Sequence, residues 1–260
     1  MNLFKNSLNN LRTIISAERV RLSGSRGPLV RVALPLGFLL PLIITFVVAA
    51  VAESIQSAGG IFQAQAVHTT NSAYWPIHLG SIVFAAMAAH AQASANSPFV
   101  RAAIPWQKTD QLARWLFLSA LAAFSTVISV ALCLLLLPSF FPVLYGQVNF
   151  FSPNATRMLI TAPIYSFFAV GIGIAIGKVL NSSAAAIATL TIWALLVENA
   201  VWLVPGGAKI TSWLPFLNGV FATGQDLALF PPWGRTGAMV YFAVVALLLF
   251  GLSLIKRSRP

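Results

Sequence analysis

Side chains able to do chemistry are scarce in this sequence, and Glu198 is the most conspicuous of them. Only five acidic residues and three histidines occur in 260 residues. Glu198 lies within the apolar run IWALLVENAVWLV, where a carboxylate is costly unless it is protonated, paired or open to water. The position fits three interpretations: a functional carboxylate, an internal hydrogen-bonding group beside Asn199, or a group solvated near the outer membrane surface.

The remaining residues do not have the spacing of a metal site. His68, His78 and His90 place at most two histidines on one helix, twelve residues apart, and Cys133 is the one cysteine. A zinc site needs three or four ligands at characteristic short spacings. We therefore expect no metal and no cofactor in this chain itself.

The stretch GIGIAIGKV is similar to a phosphate-binding loop but does not match it. That loop needs Gly, four further residues, Gly-Lys and then Ser or Thr. Here Ile172 stands at the first glycine position and Val179 at the hydroxyl position. Gly173 and Gly177 instead match the small-xxx-small pattern that lets two membrane helices approach closely. The sequence therefore predicts a helix-packing face.

A compact polar segment, ANSPFVRAAIPWQKTDQLARW at residues 95–115, interrupts the apolar sequence. Pro98 can start a short helix because proline suits the first helical position. Pro105 and Trp106 can anchor the end of that helix, since tryptophan favours the level of the lipid headgroups. The segment therefore predicts a short helix at a membrane interface.

The second half of this segment predicts the start of another helix and carries most of its charge. Thr109 can cap a helix that begins with Asp110 near its positive end. The basic residues Arg101, Lys108 and Arg114 fit either contacts with a partner or anchors at the membrane surface. Arg114 fits the anchor interpretation better than the other two.

Composition places these motifs in a membrane protein. Hydrophobic residues make up 58% of the chain and charged residues 8%, against roughly 25% charged in soluble domains. The mean hydropathy is +0.84. A net charge of +11 would suggest nucleic acid for a soluble protein, but most basic residues here flank apolar runs, where they orient a membrane chain. Membrane lipid, and no nucleic acid, is the expected partner.

Six apolar segments are long enough to cross the hydrocarbon core, which takes about 20 helical residues. The expected fold class is therefore all-α, a polytopic membrane protein with six transmembrane helices in residues 32–260. The second segment is the least apolar. The segments are Val32–Ala52, Trp75–Ala95, Leu116–Leu137, Leu159–Val179, Ala184–Val204 and Gly237–Leu254.

Six spans put both termini on one side of the membrane, and the basic residues indicate which side. Of the 16 basic residues, all but Arg157, Lys209 and Arg235 fall on the side of the termini. Basic residues are enriched in cytoplasmic segments. The termini and the polar segment at 95–115 are therefore expected in the cytoplasm.

Two further segments have compositions of their own. Residues 1–31 combine an apolar stripe with a basic face, which is typical of an amphipathic helix on the inner membrane surface; a solvated basic leader is the alternative. Residues 205–236 are too apolar for a solvated loop and are broken at Pro215, Gly219 and Gly224. Two short re-entrant helices fit that composition better than a seventh span.

In this order, the parts resemble the membrane subunit, or permease, of the type 2 ATP-binding cassette exporters. SAERVRLSGSRG resembles the stretch ahead of that family's first span, and residues 97–114 resemble its coupling helix. TSWLPFLNG is similar to its Leu-Pro-Phe signature in the external helices before the last span. The resemblance implies that residues 1–31 are a connecting helix. It also implies a multi-pass exporter of the bacterial plasma membrane that moves a hydrophobic or amphipathic substrate by alternating access and is not itself an enzyme.

The resemblance also implies partners and site residues. In that family the ATPase is often a separate polypeptide, so two copies of a cassette ATPase, with their ATP and Mg²⁺, and a second permease, identical or homologous, are expected. Five residues of the polar segment would couple to the ATPase: Arg101, Pro105, Trp106, Lys108 and Asp110. Four residues would belong to a substrate path: Glu198, Phe168, Trp193 and His90.

Two other classes of protein stay open. An ion-coupled secondary transporter would use Glu198 as its proton or cation site, although the internal repeats and discontinuous helices common in that class are not evident. A membrane-embedded enzyme would need a converging nucleophile, base and oxyanion-stabilising group. The sequence suggests no such set.

Overall fold

The structure, a computed structural model, describes residues 15–16, 27–57, 67–95, 107–227, 229 and 231–255. Within these ranges the chain forms helices and connecting turns, with no β-strand. The helices discussed below are numbered in chain order: α1 (Leu29–Gln56), α2 (Tyr74–Ala95), α3 (Gln107–Phe140), α4 (Pro142–Tyr145), α5 (Pro153–Leu180), α6 (Ser183–Ala200), α7 (Gly207–Thr211), α8 (Pro215–Ala222) and α9 (Gly234–Ile255).

Each of the six segments predicted to span a membrane is helical. Five of these helices are long and apolar enough to cross one: α1, α3, α5, α6 and α9. Helix α2 has 22 residues, which is sufficient length, but His78, His90 and Gln92 lower its hydropathy and it is not among the five. The described chain therefore has the helices of a polytopic membrane protein.

Helix α2 packs directly against the backbone of α5. Most residues of α2 are buried. A Cβ atom added at Gly173 or Gly177 of α5 would overlap the carbonyl oxygens of Ala85 and Ala89 on α2. The two backbones are thus in contact at both glycines, which confirms the predicted helix-packing face.

The long helices alternate in direction. Ala85 faces Gly173 and Ala89 faces Gly177, so that residue numbers rise together and α2 runs parallel to α5. Helix α3 runs the opposite way, because Trp115 abuts Gly171 whereas later residues of α3 meet earlier residues of α5. Alternation of this kind gathers the helix ends at two poles.

Side-chain and backbone bonds identify those two poles. At the first, which we call the Arg114 end, the start of α3 bonds to the last turns of α2 and α9. At the second, the Glu198 end, the connecting segments bond to one another: Asn149 N donates to Thr69 Oγ1 and Asp226 N donates to Asn71 Oδ1. The Glu198 end therefore contains three connecting segments: residues 67–72, 141–152 and 223–227.

The segment at 205–236 contains two short helices, α7 and α8, and α8 packs into the bundle. Their re-entry into a membrane stays a prediction. Gly219 lies so close to the ring of Tyr165 on α5 that an added Cβ would collide with it. The rings of Phe216 on α8 and Phe242 on α9 have centroids 5.8 Å apart. Helix α8 is therefore packed between α5 and α9.

Helix α3 begins earlier than the sequence predicted. It already includes Gln107, nine residues before Leu116, so the prediction that Thr109 caps a helix beginning at Asp110 is wrong. Residues 107–114 of the predicted coupling segment form the first two turns of α3. Residues 97–106 lie outside the described part of the chain, as does most of the predicted surface helix at 1–31.

Candidate functional site

Arg114 is fully buried in the bundle. Its side chain is 0% exposed. The guanidinium donates to Gln92 Oε1 at 2.6 Å and to Asp110 Oδ2 at 2.7 Å, which joins α3 to α2 and pairs the charge with a carboxylate one turn earlier. The prediction that Arg114 is a surface anchor is therefore wrong. We call Gln92, Asp110 and Arg114 the base cluster, because they join the last turn of α2 to the first turns of α3.

The first turns of α3 also bond to two other helices. Gln111 Nε2 donates to Ser253 Oγ on α9 at 2.6 Å. Trp115 Nε1 and Ser119 Oγ donate to the carbonyl of Phe167 on α5 at 3.0 and 3.1 Å. The start of α3 is therefore attached by side-chain hydrogen bonds to α2, α5 and α9 immediately next to the polar segment.

Of the five residues predicted to couple to an ATPase, Asp110 is the one whose side chain is described. Arg101, Pro105 and Trp106 lie outside the described residues, and Lys108 is known here only as part of helix α3. Asp110 is 11% exposed and its carboxylate is engaged by Arg114. Its carboxylate therefore pairs within the bundle, and the coupling roles of all five residues stay predictions.

Glu198 is buried between α6 and α8, where its carboxylate accepts three hydrogen bonds. Phe216 N and Leu217 N donate to it at 3.2 and 2.8 Å, and Trp193 Nε1 donates at 2.9 Å. The two backbone donors belong to the first turn of α8, whose N–H groups have no partner within the helix and whose end carries a partial positive charge. This geometry supports the internal hydrogen-bonding interpretation, with α8 rather than Asn199 as the partner.

Glu53 binds the start of another short helix in the same way. Its two carboxylate oxygens accept from Val143 N at 3.1 Å and Leu144 N at 3.0 Å in the first turn of α4. Helices α4 and α8 both begin with proline, which has no N–H, so the next two residues provide the donors. Each of these short helices is thus anchored by a carboxylate from a long helix.

Polar side chains in the interior of the bundle bond to one another across helices. His78 Nδ1 on α2 lies 3.2 Å from the hydroxyl of Tyr165 on α5. The hydroxyl of Ser166 lies 2.6 Å from that of Ser81 on α2 and 2.7 Å from that of Thr126 on α3. Such bonds are needed where water does not reach, and here they hold the three central helices together.

Two of the four residues predicted to line a substrate path are joined by a described contact. Trp193 and Glu198 are bonded within α6, and Trp193 is 44% exposed. Phe168, on α5, is partly buried and packs against the apolar core. His90 is in the last two turns of α2, toward the Arg114 end. The described helices therefore join two of the four residues, and the substrate path stays a prediction.

The sequence did not predict the contacts of Arg114 and Tyr165, which join neighbouring helices. The spacing of Asp110 and Arg114, four residues apart, is a sequence signal for a pair on one helix face. Nothing local indicates Gln92, which is 22 residues away. Tyr165 lies in the stretch YSFF, where a tyrosine cannot be told from a packing residue without its partners.

Comparisons with known proteins found no counterpart. No protein-family model, curated protein or solved structure matches the chain. Among the described residues, no three His, Cys, Asp or Glu side chains are grouped as metal ligands would be. A functional assignment must therefore be argued from the contacts within the chain.

Proposed function

We propose that this chain is the permease subunit of an ATP-driven exporter of the type 2 ATP-binding cassette class, with ATP hydrolysis supplied by a partner subunit. In this proposal α1, α2, α3, α5, α6 and α9 cross a bacterial plasma membrane. The Arg114 end and both termini face the cytoplasm, and the Glu198 end faces outward. Helix α8 re-enters the outer leaflet.

The position of α8 is the observation that carries the proposal. Gly219 of α8 meets Tyr165, the thirteenth residue of the 28-residue helix α5. At 1.5 Å per residue, Tyr165 lies about 18 Å from the start of α5. A short helix that precedes the last long helix therefore reaches the middle of the bundle. This is the place in the chain at which the sequence resembles the external helices of the exporter family.

The start of α3 supplies a second supporting feature. A permease driven by a soluble motor needs an inner segment whose movement is passed on to the membrane helices. Residues 96–106 connect α2 to α3, and the base cluster and Gln111 attach α3 to α2 and α9 at this point. A displacement of the segment would therefore reach three long helices at once.

The proposed mechanism is alternating access with no covalent step in this chain. Binding of ATP by two partner subunits would favour one of two arrangements of the helices and so expose the path alternately to each side. A hydrophobic or amphipathic substrate suits a path between apolar helices. Glu198 would contribute by holding α8 in place.

Co-purification with a cassette ATPase tests the proposal. We expect the chain alone to hydrolyse no ATP and the complex with the ATPase encoded beside it to do so in a Mg²⁺-dependent manner. Charge reversals Arg101→Glu and Lys108→Glu should weaken that complex. Lys209→Glu, at the Glu198 end, is the matched control and should leave it intact.

Two results would count against the proposal in different ways. Failure of any cassette ATPase to bind the unchanged chain would remove the exporter assignment. Normal assembly and coupling in both reversal variants would remove only the contact assigned to Arg101 and Lys108.

An ion-coupled secondary transporter is the weaker alternative. Its proposed ion site, Glu198, already accepts hydrogen bonds at both carboxylate oxygens from α8 and Trp193. Substrate uptake by proteoliposomes that requires a proton gradient, proceeds without ATP and is lost in Glu198→Gln would favour this alternative.

A further inference from the structure

The base cluster joins the end of α2 to the start of α3. Helix α2 ends at Ala95 and α3 includes Gln107. Gln92 lies one turn before the end of α2, and Arg114 lies two turns into α3. Their side chains bond at 2.6 Å, so the two helices that flank the segment are joined directly across its base.

We propose that Arg114 is a positioning residue that clasps α2 to α3, so that the end of α2 and the start of α3 move as one rigid unit. The part of this inference that concerns an ATPase rests on the proposed function. The clasp itself does not, because it follows from the contacts of Gln92, Asp110 and Arg114 alone.

The chemistry of arginine suits this role. The guanidinium is a planar fork that donates in two directions at once, here to Gln92 and to Asp110. It stays charged when buried, and the pairing with Asp110 makes the two side chains neutral as a pair. At 0% exposure no water competes for these bonds, and hydrogen bonds are electrostatically stronger in such an environment than in water.

The bundle contains independent bonds that would hold it together without the clasp. Deeper along the same helices, Ser81 of α2 and Thr126 of α3 both bond to Ser166 of α5. Gln111, three residues from Arg114, bonds to Ser253 of α9 and not to α2. Removing the clasp should therefore loosen the ends of α2 and α3 while leaving their inner portions packed.

A distance measurement between spin labels on the two flanking helices tests the clasp in the full chain. Ser94 on α2 and Leu112 on α3 are exposed and can be replaced by labelled cysteines in a Cys133→Ala background, in lipid nanodiscs. We expect one narrow distance distribution in the chain with Arg114 intact. Its width should at least double in Arg114→Gln and in the double variant Asp110→Leu with Arg114→Met.

The double variant controls for a general loss of the fold. It removes both charges together, so no unpaired charge remains buried, and such replacements are often tolerated. Gln111→Leu is the matched control: it removes a buried bond of similar length on the same helix and should leave the width unchanged. Unchanged widths in both Arg114 variants, or equal broadening in Gln111→Leu, would overturn the clasp.

A second measurement tests the consequence for coupling. The double variant should still co-purify with the ATPase, but the stimulation of ATP hydrolysis by the permease should fall at least fivefold. Arg235→Gln, which breaks an Arg–Asp pair at the Glu198 end, should retain the stimulation. Full stimulation in the double variant would overturn the coupling role of Arg114. Failure of the unchanged chain to bind an ATPase would instead overturn the proposed function. In that case the spin-label measurement alone would decide whether the clasp exists.

Discussion

Each carboxylate in the described part of the chain is used to hold structure together. Two of them accept backbone N–H groups at the starts of short helices, and two form ion pairs with arginine. A charged group in an apolar bundle is costly without such partners, so these bonds explain why the few acidic residues stand where they do. The four residues are Glu53, Asp110, Glu198 and Asp226.

Replacement of Glu198 by glutamine should destabilise the protein more than the same change at Glu53. The carboxamide keeps one acceptor oxygen, so one buried N–H of Phe216 or Leu217 loses its partner, which costs about 1–3 kcal/mol in the free energy of unfolding. At Glu53 the acceptor for Val143 N is exposed, and water can replace it. Thermal unfolding in detergent measures both changes; equal effects would contradict the role given to Glu198.

Arg114 shows why single-residue roles were harder to predict than helices. Basic residues at the ends of apolar runs are usually surface anchors, and the sequence around Arg114 has that pattern. Its actual environment depends on Gln92 of a different helix, and a partner of this kind is set by packing rather than by local sequence. Glu198 was easier, because a carboxylate inside an apolar run already signals a special environment.

At the scale of elements, the contact between α2 and α5 is the closest helix packing described. Glycines at Gly173 and Gly177 let the two backbones touch, and hydroxyl pairs follow the same interface. The glycine spacing was visible in the sequence and predicted this contact. The partner helix was not predictable, since small residues identify a packing face but not what lies on it.

Gly173→Ala and Gly177→Ala should each lower stability by about 1–3 kcal/mol, the usual cost of overpacking. Each added methyl group would overlap a carbonyl oxygen of α2 that cannot move without displacing the helix. Gly251→Ala, in the long helix α9, is the control, because nothing lies within 4 Å of its added Cβ. Thermal unfolding of the three variants checks this; a loss in Gly251→Ala as large as in the other two would contradict it.

The helices themselves were predicted well because hydropathy is a local property of the sequence. The main discrepancy is the start of α3, which includes Gln107, three residues before the predicted start at Asp110, and whose first turns are bonded to neighbouring helices. The depth of α8 could not be predicted either. It depends on the fit of Gly219 against Tyr165, a contact between residues far apart in the chain.

For the whole molecule, the distribution of basic residues along the sequence predicts a fixed orientation in a membrane. Of the 16 basic residues, all but Arg157, Lys209 and Arg235 are predicted to lie on the side of the termini, and Arg157 and Arg235 bond to groups at the Glu198 end. By the positive-inside rule we therefore expect the Arg114 end to face the cytoplasm. This orientation depends on the full set of basic residues and not on any one contact.

Cysteine labelling in intact cells should reveal this orientation. In a Cys133→Ala background, Phe151→Cys, at a position that is 88% exposed near the Glu198 end, should react with a membrane-impermeant maleimide added outside. Ser94→Cys, near the Arg114 end, should react only after the cells are permeabilised. The reverse pattern would contradict both the orientation and the assignment of the polar segment to the cytoplasm.

The low hydropathy of α2 bears on how the chain enters the bilayer during synthesis. A translocon releases a helix into lipid according to its apolarity, and α2 is the long helix that falls short. Two of its polar side chains, His78 and Ser81, bond to Tyr165 and Ser166 of α5, which leave the ribosome more than 80 residues later. We therefore expect α2 to wait beside the insertion machinery until α5 arrives, so that the two helices enter the lipid together.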